Sequence, residues 1–134
     1  MAGAFEIDEA GFPLVVATVR GQVTSEVISA YFARLDAWCL DGRRYASILN
    51  ITRIEMPSAA ERKQIVEAIA DRHTALARSC IGVAIVVTNP LIRGAVTAIL
   101  WMQHLPHPLE LVATEVAAKA ICATWLGTGP ASRR

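Results

Sequence analysis

Charge is scarce in this 134-residue chain: charged side chains make up 19%, against 54% hydrophobic residues. That balance excludes intrinsic disorder, which needs low hydrophobicity and high charge. Neither sign is in excess. Thirteen basic and twelve acidic side chains leave a formal net charge of +1, so bulk charge points to neither nucleic acid nor an anionic membrane. Aromatic residues are few, at 6%, and the cations form only the short pairs Arg43-Arg44 and Arg62-Lys63. Nucleic-acid binding needs clustered cations or stacking aromatics, so these pairs read as solvated surface. Long apolar runs are also missing. The strongest, residues 95–102, falls far below the ~20 residues of a membrane span.

Cysteine is sparse and scattered. Cys39, Cys80 and Cys122 form neither the close pairs of a zinc site nor the even, dense set of a disulfide framework. They read as small core residues, which fits a reducing, cytoplasmic setting. The first residues offer no basic segment followed by a long apolar one, so no signal peptide is expected.

Catalytic signatures are equally absent. No G-x-S-x-G, Walker A or G-x-G-x-x-G pattern occurs, which leaves hydrolase, NTPase and dinucleotide-enzyme readings without their machinery. Asp71 and His73 lie two apart on a predicted helix and so point in different directions. His104 and His107 flank a Leu-Pro pair, with only Glu110 nearby to complete a metal site. They read as surface loop histidines. No catalytic residue, metal site or cofactor is expected, and the chain is read as a non-enzyme.

What is present is a regular alternation of elements. Residues 5–8 and 14–20, joined by a Gly-containing turn, read as an antiparallel hairpin. Thr24 or Ser25 caps a helix whose apolar stripe is Val27, Ile28, Tyr31, Leu35, Trp38 and Cys39, and Asp41-Gly42 ends it. Residues 45–51 read as a strand. Pro57 and the capping-box pattern Ser58-Ala59-Ala60-Glu61 open a helix expected to run to about Ala77. Residues 81–88 are nearly continuously apolar, as in a strand covered on both faces. Asn89-Pro90 starts a helix over 90–103, Pro106 and Pro108 prevent its continuation, and a short strand (109–113) and a helix from 114–115 to about 126 follow.

The expected order is therefore β-β-α-β-α-β-α-β-α. That is an α/β fold with a mixed, mostly parallel sheet, an N-terminal hairpin and four helices. One domain over residues 1–126 is expected, with 127–134 as a flexible tail.

This arrangement resembles the STAS domains, and more closely their SpoIIAA-like, SEC14-associated bacterial branch. The resemblance lies in Val83-Ala84-Ile85-Val86-Val87-Thr88-Asn89-Pro90-Leu91-Ile92-Arg93, in Leu100-Trp101, in the 106–111 connection and in the closing Trp125-Leu126. It implies a cytoplasmic, non-catalytic switch or binding module. Anti-sigma-factor antagonists of this kind carry an Asp-Ser-Ser/Thr-Gly motif whose hydroxyl a partner kinase phosphorylates. Here Met56-Pro57-Ser58-Ala59-Ala60 stands at that place. Ser58 matches the hydroxyl, while Pro57 replaces the acid and the closing Gly is missing.

The 90–103 helix carries the most information. Leu91, Ile92, Ala95, Val96, Ile99 and Leu100 supply a full core stripe, and Ala98, Trp101 and Met102 widen the apolar arc well past ~100°. Such width must be covered by the same chain, a second subunit or an apolar ligand. Gly94 and Ala98 form a small-x-x-x-small pair that lets another backbone approach. Leu91, Arg93, Val96, Trp101 and Met102 are the candidate interface or pocket residues, with Arg93 as the polar anchor. Three functions follow in order: a protein-interaction or regulatory module, with self-pairing as a homodimer included; a small apolar-ligand or lipid carrier with Trp101 and Met102 lining the cavity; and a phospho-switch at Ser58.

Overall fold

The computed structural model describes residues 3–127; of the expected tail only Gly127 falls within this range. The elements run β1 (Ala4–Asp8), β2 (Leu14–Gly21), α1 (Ser25–Leu40), β3 (Tyr45–Ile54), α2 (Ala59–Asp71), α3 (His73–Ser79), β4 (Cys80–Val86), α4 (Pro90–Met102), β5 (Leu109–Val112) and α5 (Glu115–Trp125). The five strands form one sheet in the order β1-β2-β3-β4-β5. β1 and β2 are antiparallel, and every later neighbour is parallel. The hairpin and mostly parallel sheet are thus as the sequence implied.

Among the described residues the helices are five rather than four. The expected 58–77 helix breaks at Arg72, whose backbone leaves the helical region at φ −109°, ψ 13°. Its N–H turns back to the carbonyls of Ile69 and Ala70, while its side chain is taken up elsewhere. Nε and one terminal nitrogen donate to the Asp36 carboxylate on α1 at 2.8 and 3.1 Å, and the other donates to the Ala68 carbonyl at 3.0 Å. The guanidinium also covers the Phe32 ring, 5.0 Å from its centroid. A side chain anchored to a neighbouring helix is invisible to periodicity, so the break could not be read locally.

Strand alternation sends β3 side chains to both faces in turn. Ala46 and Ile48 pack with Ala84 and Val86 of β4 under α5, against Ala118 and Cys122. On the opposite face Val15 and Tyr45 pack with Ile28, Phe32, Leu35 and Trp38 of α1 and Leu76 of α3. Cys80 and Cys122 are buried free thiols, and Cys39 is half-buried. Burial pushes the Cys122 thiol up to about 11.

Gly82 shows how closely α5 sits on the sheet. A Cβ there would lie 2.6 Å from Trp125 Cε3, inside van der Waals contact. Gly82→Ala is expected to cost about 1–3 kcal/mol of stability through overpacking, measurable as a lowered urea midpoint with an unchanged m-value.

Candidate functional site

α1, α2 and α4 cover the second face incompletely. Beneath them lies a cavity of about 200 Å³, floored by the sheet and closed on one side by the connection after α4. Its presence explains two otherwise odd helices: no residue of α2 is fully buried, and in α4 only Ile92 is. The inward residues Ile65, Ile69, Val96 and Ile99 are half-buried because they border this space. Interiors normally close to the density of organic crystals, so an opening of this size is a structural feature in its own right.

The wall is almost wholly apolar. Its polar groups belong to Tyr31, Tyr45, Ser47 and His107. Ser47 sits mid-sheet on β3 with 1% of its surface exposed, and its Oγ has no hydrogen-bond partner. The hydroxyl it faces is the Tyr31 phenol, whose pKa the Ser47 side chain holds down against the larger effect of burial. Burial is the main force holding both tyrosine phenols protonated far above their ordinary range. His107 Nδ1 donates to the Pro108 carbonyl at 3.0 Å, and burial lowers its pKa. His107 is therefore not the surface histidine that its loop position implied. His104 is exposed as expected.

The five α4 candidates separate. The Asn89 side chain caps the helix, accepting from Leu91 N at 2.8 Å and Ile92 N at 3.3 Å. From that start, spacing turns Ile92, Ala95, Val96 and Ile99 inward. Val96 borders the cavity. Leu91, Trp101 and Met102 are 75%, 81% and 70% exposed, and Arg93 is exposed as well. Trp101 and Met102, expected as cavity lining, do not line it: Trp101 stands two residues past Ile99 and turns to the outer side, and Met102 is the last residue of the helix, past the inward stripe. Gly94 and Ala98 lie exposed between Leu91 and Trp101, and a Cβ on Gly94 would meet nothing within 4 Å.

Ser58 is the N-cap of α2. Its Oγ accepts from Glu61 N at 3.1 Å, and the Glu61 carboxylate accepts from Ser58 N at 2.9 Å, completing the expected capping box. Arg62 donates to the Pro57 carbonyl at 2.6 Å. Ser58→Ala is expected to cost about 1 kcal/mol, read as a fall in thermal midpoint, with the second helix retained by circular dichroism. Among the described residues no cluster of His, Cys, Asp and Glu could hold a metal ion, and no helix is long and apolar enough to cross a membrane.

No protein-family model matches the chain, and no curated protein matches it by sequence. Solved structures do match by shape. An uncharacterized protein of the DUF3478 family with a SpoIIAA-like fold, from Shewanella loihica PV-4, superposes with a TM-score of 0.65 over 90% of this chain and 94% of that one, at 14% identity. Unphosphorylated SpoIIAA, an anti-sigma factor antagonist, gives a TM-score of 0.62 over 88% and 96% of the two chains, at 17% identity. The fold is SpoIIAA-like. A third structure of this shape, an anti-sigma factor antagonist from Mycobacterium paratuberculosis, has a TM-score of 0.56 over 90% and 94% of the chains, at 12% identity. The SpoIIAA-like fold agrees with the STAS resemblance carried by residues 83–93. In this example of it, the helix after β4 leaves a tryptophan in solvent and a cavity behind itself.

Proposed function

We propose that this protein is a non-catalytic regulatory module that acts through protein–protein contact, with the outer face of α4 as its contact surface. The observation that carries the reading is the exposure of Leu91, Trp101 and Met102 on one helix. Large apolar side chains grouped on a surface mark an interaction site, and tryptophan is enriched at the centres of interfaces. Two of the structural neighbours are named anti-sigma factor antagonists, a kind of protein that works by binding others.

The occupant this face fits first is a second copy of the chain. A two-fold contact uses one patch on both subunits. Leu91 and Trp101 lie five residues either side of Val96, and Gly94 and Ala98 lie two residues either side. An antiparallel pairing of two α4 helices about that midpoint brings Leu91 of each onto Trp101 of the other, and Gly94 onto Ala98 at the close approach. The test is the mass of the purified protein against concentration. A species of twice 14.4 kDa that is lost in Trp101→Glu supports the reading, and a monomer at every concentration overturns the self-contact.

The cavity favours a second reading, occupation by a small apolar molecule. A phosphate switch at Ser58 has less behind it. That hydroxyl is occupied by the helix cap, and the Glu61 carboxylate in the same cap repels a phosphate dianion.

A further inference from the structure

α4 is fastened at one end only. The Asn89 side chain caps its start, and Ile92 packs with Val19, Ile51, Ile85 and Val87. Beyond Ile92 no side chain of the helix is fully buried, and Ala95, Val96, Ile99 and Leu100 border the cavity instead of a packed floor. Polar ties are missing too. Among the described residues no hydrogen bond or ion pair joins residues 90–107 to another element. Thr97 Oγ1 donates to the Arg93 carbonyl at 2.9 Å, Gln103 Nε2 to the His104 carbonyl at 3.3 Å, and His107 Nδ1 to the Pro108 carbonyl at 3.0 Å. All three bonds are local. The chain is next tied down where β5 begins, by Val83 N donating to the Pro108 carbonyl at 3.1 Å.

The helix can therefore tilt inward without breaking a polar contact. Empty space behind it forfeits dispersion contacts, and closing would bury Val96, Ile99 and Leu100. Trp101 lies nine residues beyond Ile92, about 13 Å along the axis at 1.5 Å per residue. A tilt about the Ile92 end thus carries Trp101 inward and leaves Leu91, beside the pivot, almost in place. The line from Leu91 to Trp101, along which two copies pair, then no longer matches its mate at both ends.

We propose that α4 is a hinged lid: its 89–92 end is fixed on the sheet, its far end closes over the cavity, and only the outward position self-associates. The inference rests on the self-contact proposed above and adds its regulation. Filling the space behind the helix holds the contact face out, and emptying it lets the face retract.

The test fills the cavity from the sheet with Val83→Phe and, separately, Leu49→Phe. Both residues border the cavity from strands, so neither substitution touches the outer face of α4, and cavity-filling changes commonly stabilise. Residual dipolar couplings of the backbone amides give the direction of α4 against the sheet, read in Trp101→Glu to remove the self-contact. The couplings of residues 95–102 are expected to depart from the outward direction in Trp101→Glu and to return to it when either filling substitution is added. Sedimentation equilibrium on Val83→Phe and Leu49→Phe should show self-association tightened about fivefold, because an apparent dissociation constant falls as the competent fraction rises. Couplings in Trp101→Glu that fit the outward position as well as those of α5 fit theirs would overturn the hinge. A moving helix with association unchanged or weakened in both filled variants would overturn the link to the contact face. A chain that is monomeric at every concentration while its α4 couplings still move would overturn the self-contact and that link together, and would support the hinge.

Discussion

Trp101→Glu is expected to leave the fold and its stability intact and to weaken self-association by about two orders of magnitude. The first half follows from exposure. With 81% of its surface in solvent, Trp101 contributes little to the core, and substitutions at such positions usually stay within about 0.5 kcal/mol. The second half follows from the contact surface. Truncating a central interface tryptophan typically costs about 2–4 kcal/mol, and the glutamate adds the desolvation of a carboxylate facing Leu91 of the other copy. Each 1.4 kcal/mol is tenfold in affinity. Sedimentation equilibrium measures the dissociation constant, and circular dichroism with urea unfolding checks the fold. An unchanged dissociation constant in a folded variant would remove α4 as the contact and, with it, the proposed role of this face. Arg93 is the control on the same helix. It lies outside the 91-94-98-101 stripe, and Arg93→Ala should shift association far less than Trp101→Glu.

Trp38→Ala should produce the largest loss of stability of any substitution considered, about 3–5 kcal/mol. That is a large part of what a domain of this size possesses. Trp38 is 3% exposed and stands between Tyr31 and Tyr45, with ring centroids 6.1 and 5.6 Å away. Its Nε1 donates to Glu9 Oε2 at 2.6 Å, and Arg34 pairs with the same carboxylate oxygen. This ties the loop after β1 to α1. The hydrogen bond from Trp38, followed by that from Arg34, holds the Glu9 carboxyl below its ordinary value of 4.5.

The sign of the pH effect follows from that depression. In the window below 4.5 the unfolded state binds the proton more readily than the folded state, so stability rises with pH there. The contribution is present above 4.5 and is lost as pH falls through the lower folded value. Trp38→Phe keeps most of the ring volume and removes the donor. It should therefore be less destabilising than Trp38→Ala, and it should flatten the acid limb of a stability–pH profile below 4.5 while leaving the neutral region parallel to the parent. Urea unfolding at a series of pH values measures both effects. A Phe variant with an acid limb as steep as the parent's would show that Glu9 draws nothing from Trp38.

Much of the fold was legible locally. The Thr24 cap, the Ser58–Glu61 capping box, the Asn89-Pro90 start and the left-handed Gly42 at the end of α1 all occur where short-range chemistry puts them. These signals act within one turn of chain and need no partner. The apolar run before Asn89 likewise announced a strand covered on both sides, and Val83, Ile85 and Val87 do face the helices opposite α5. The excess apolar width of the 90–103 helix was also visible. Ala98, Trp101 and Met102, read as that excess, are exposed, and Leu91, read as part of the core stripe, is exposed with them.

The sequence by itself determined the order of the elements, their caps and the hairpin-plus-parallel layout, because periodicity and capping are properties of neighbours in the chain. Only the tertiary structure decided where α2 ends, since Arg72 breaks it by reaching Asp36, 36 residues away. It also decided that α2 and α4 border a cavity instead of a closed core. Two helices can each carry a correct apolar stripe and still meet the sheet at a distance that leaves room between them, which neither stripe reveals. Ser47 is the sharpest instance. Alternation along residues 45–51 already placed it on the inward register with Tyr45 and Leu49, but a serine in a strand is ordinary when something meets its hydroxyl. Only the packed structure shows that it meets the Tyr31 phenol beside the cavity.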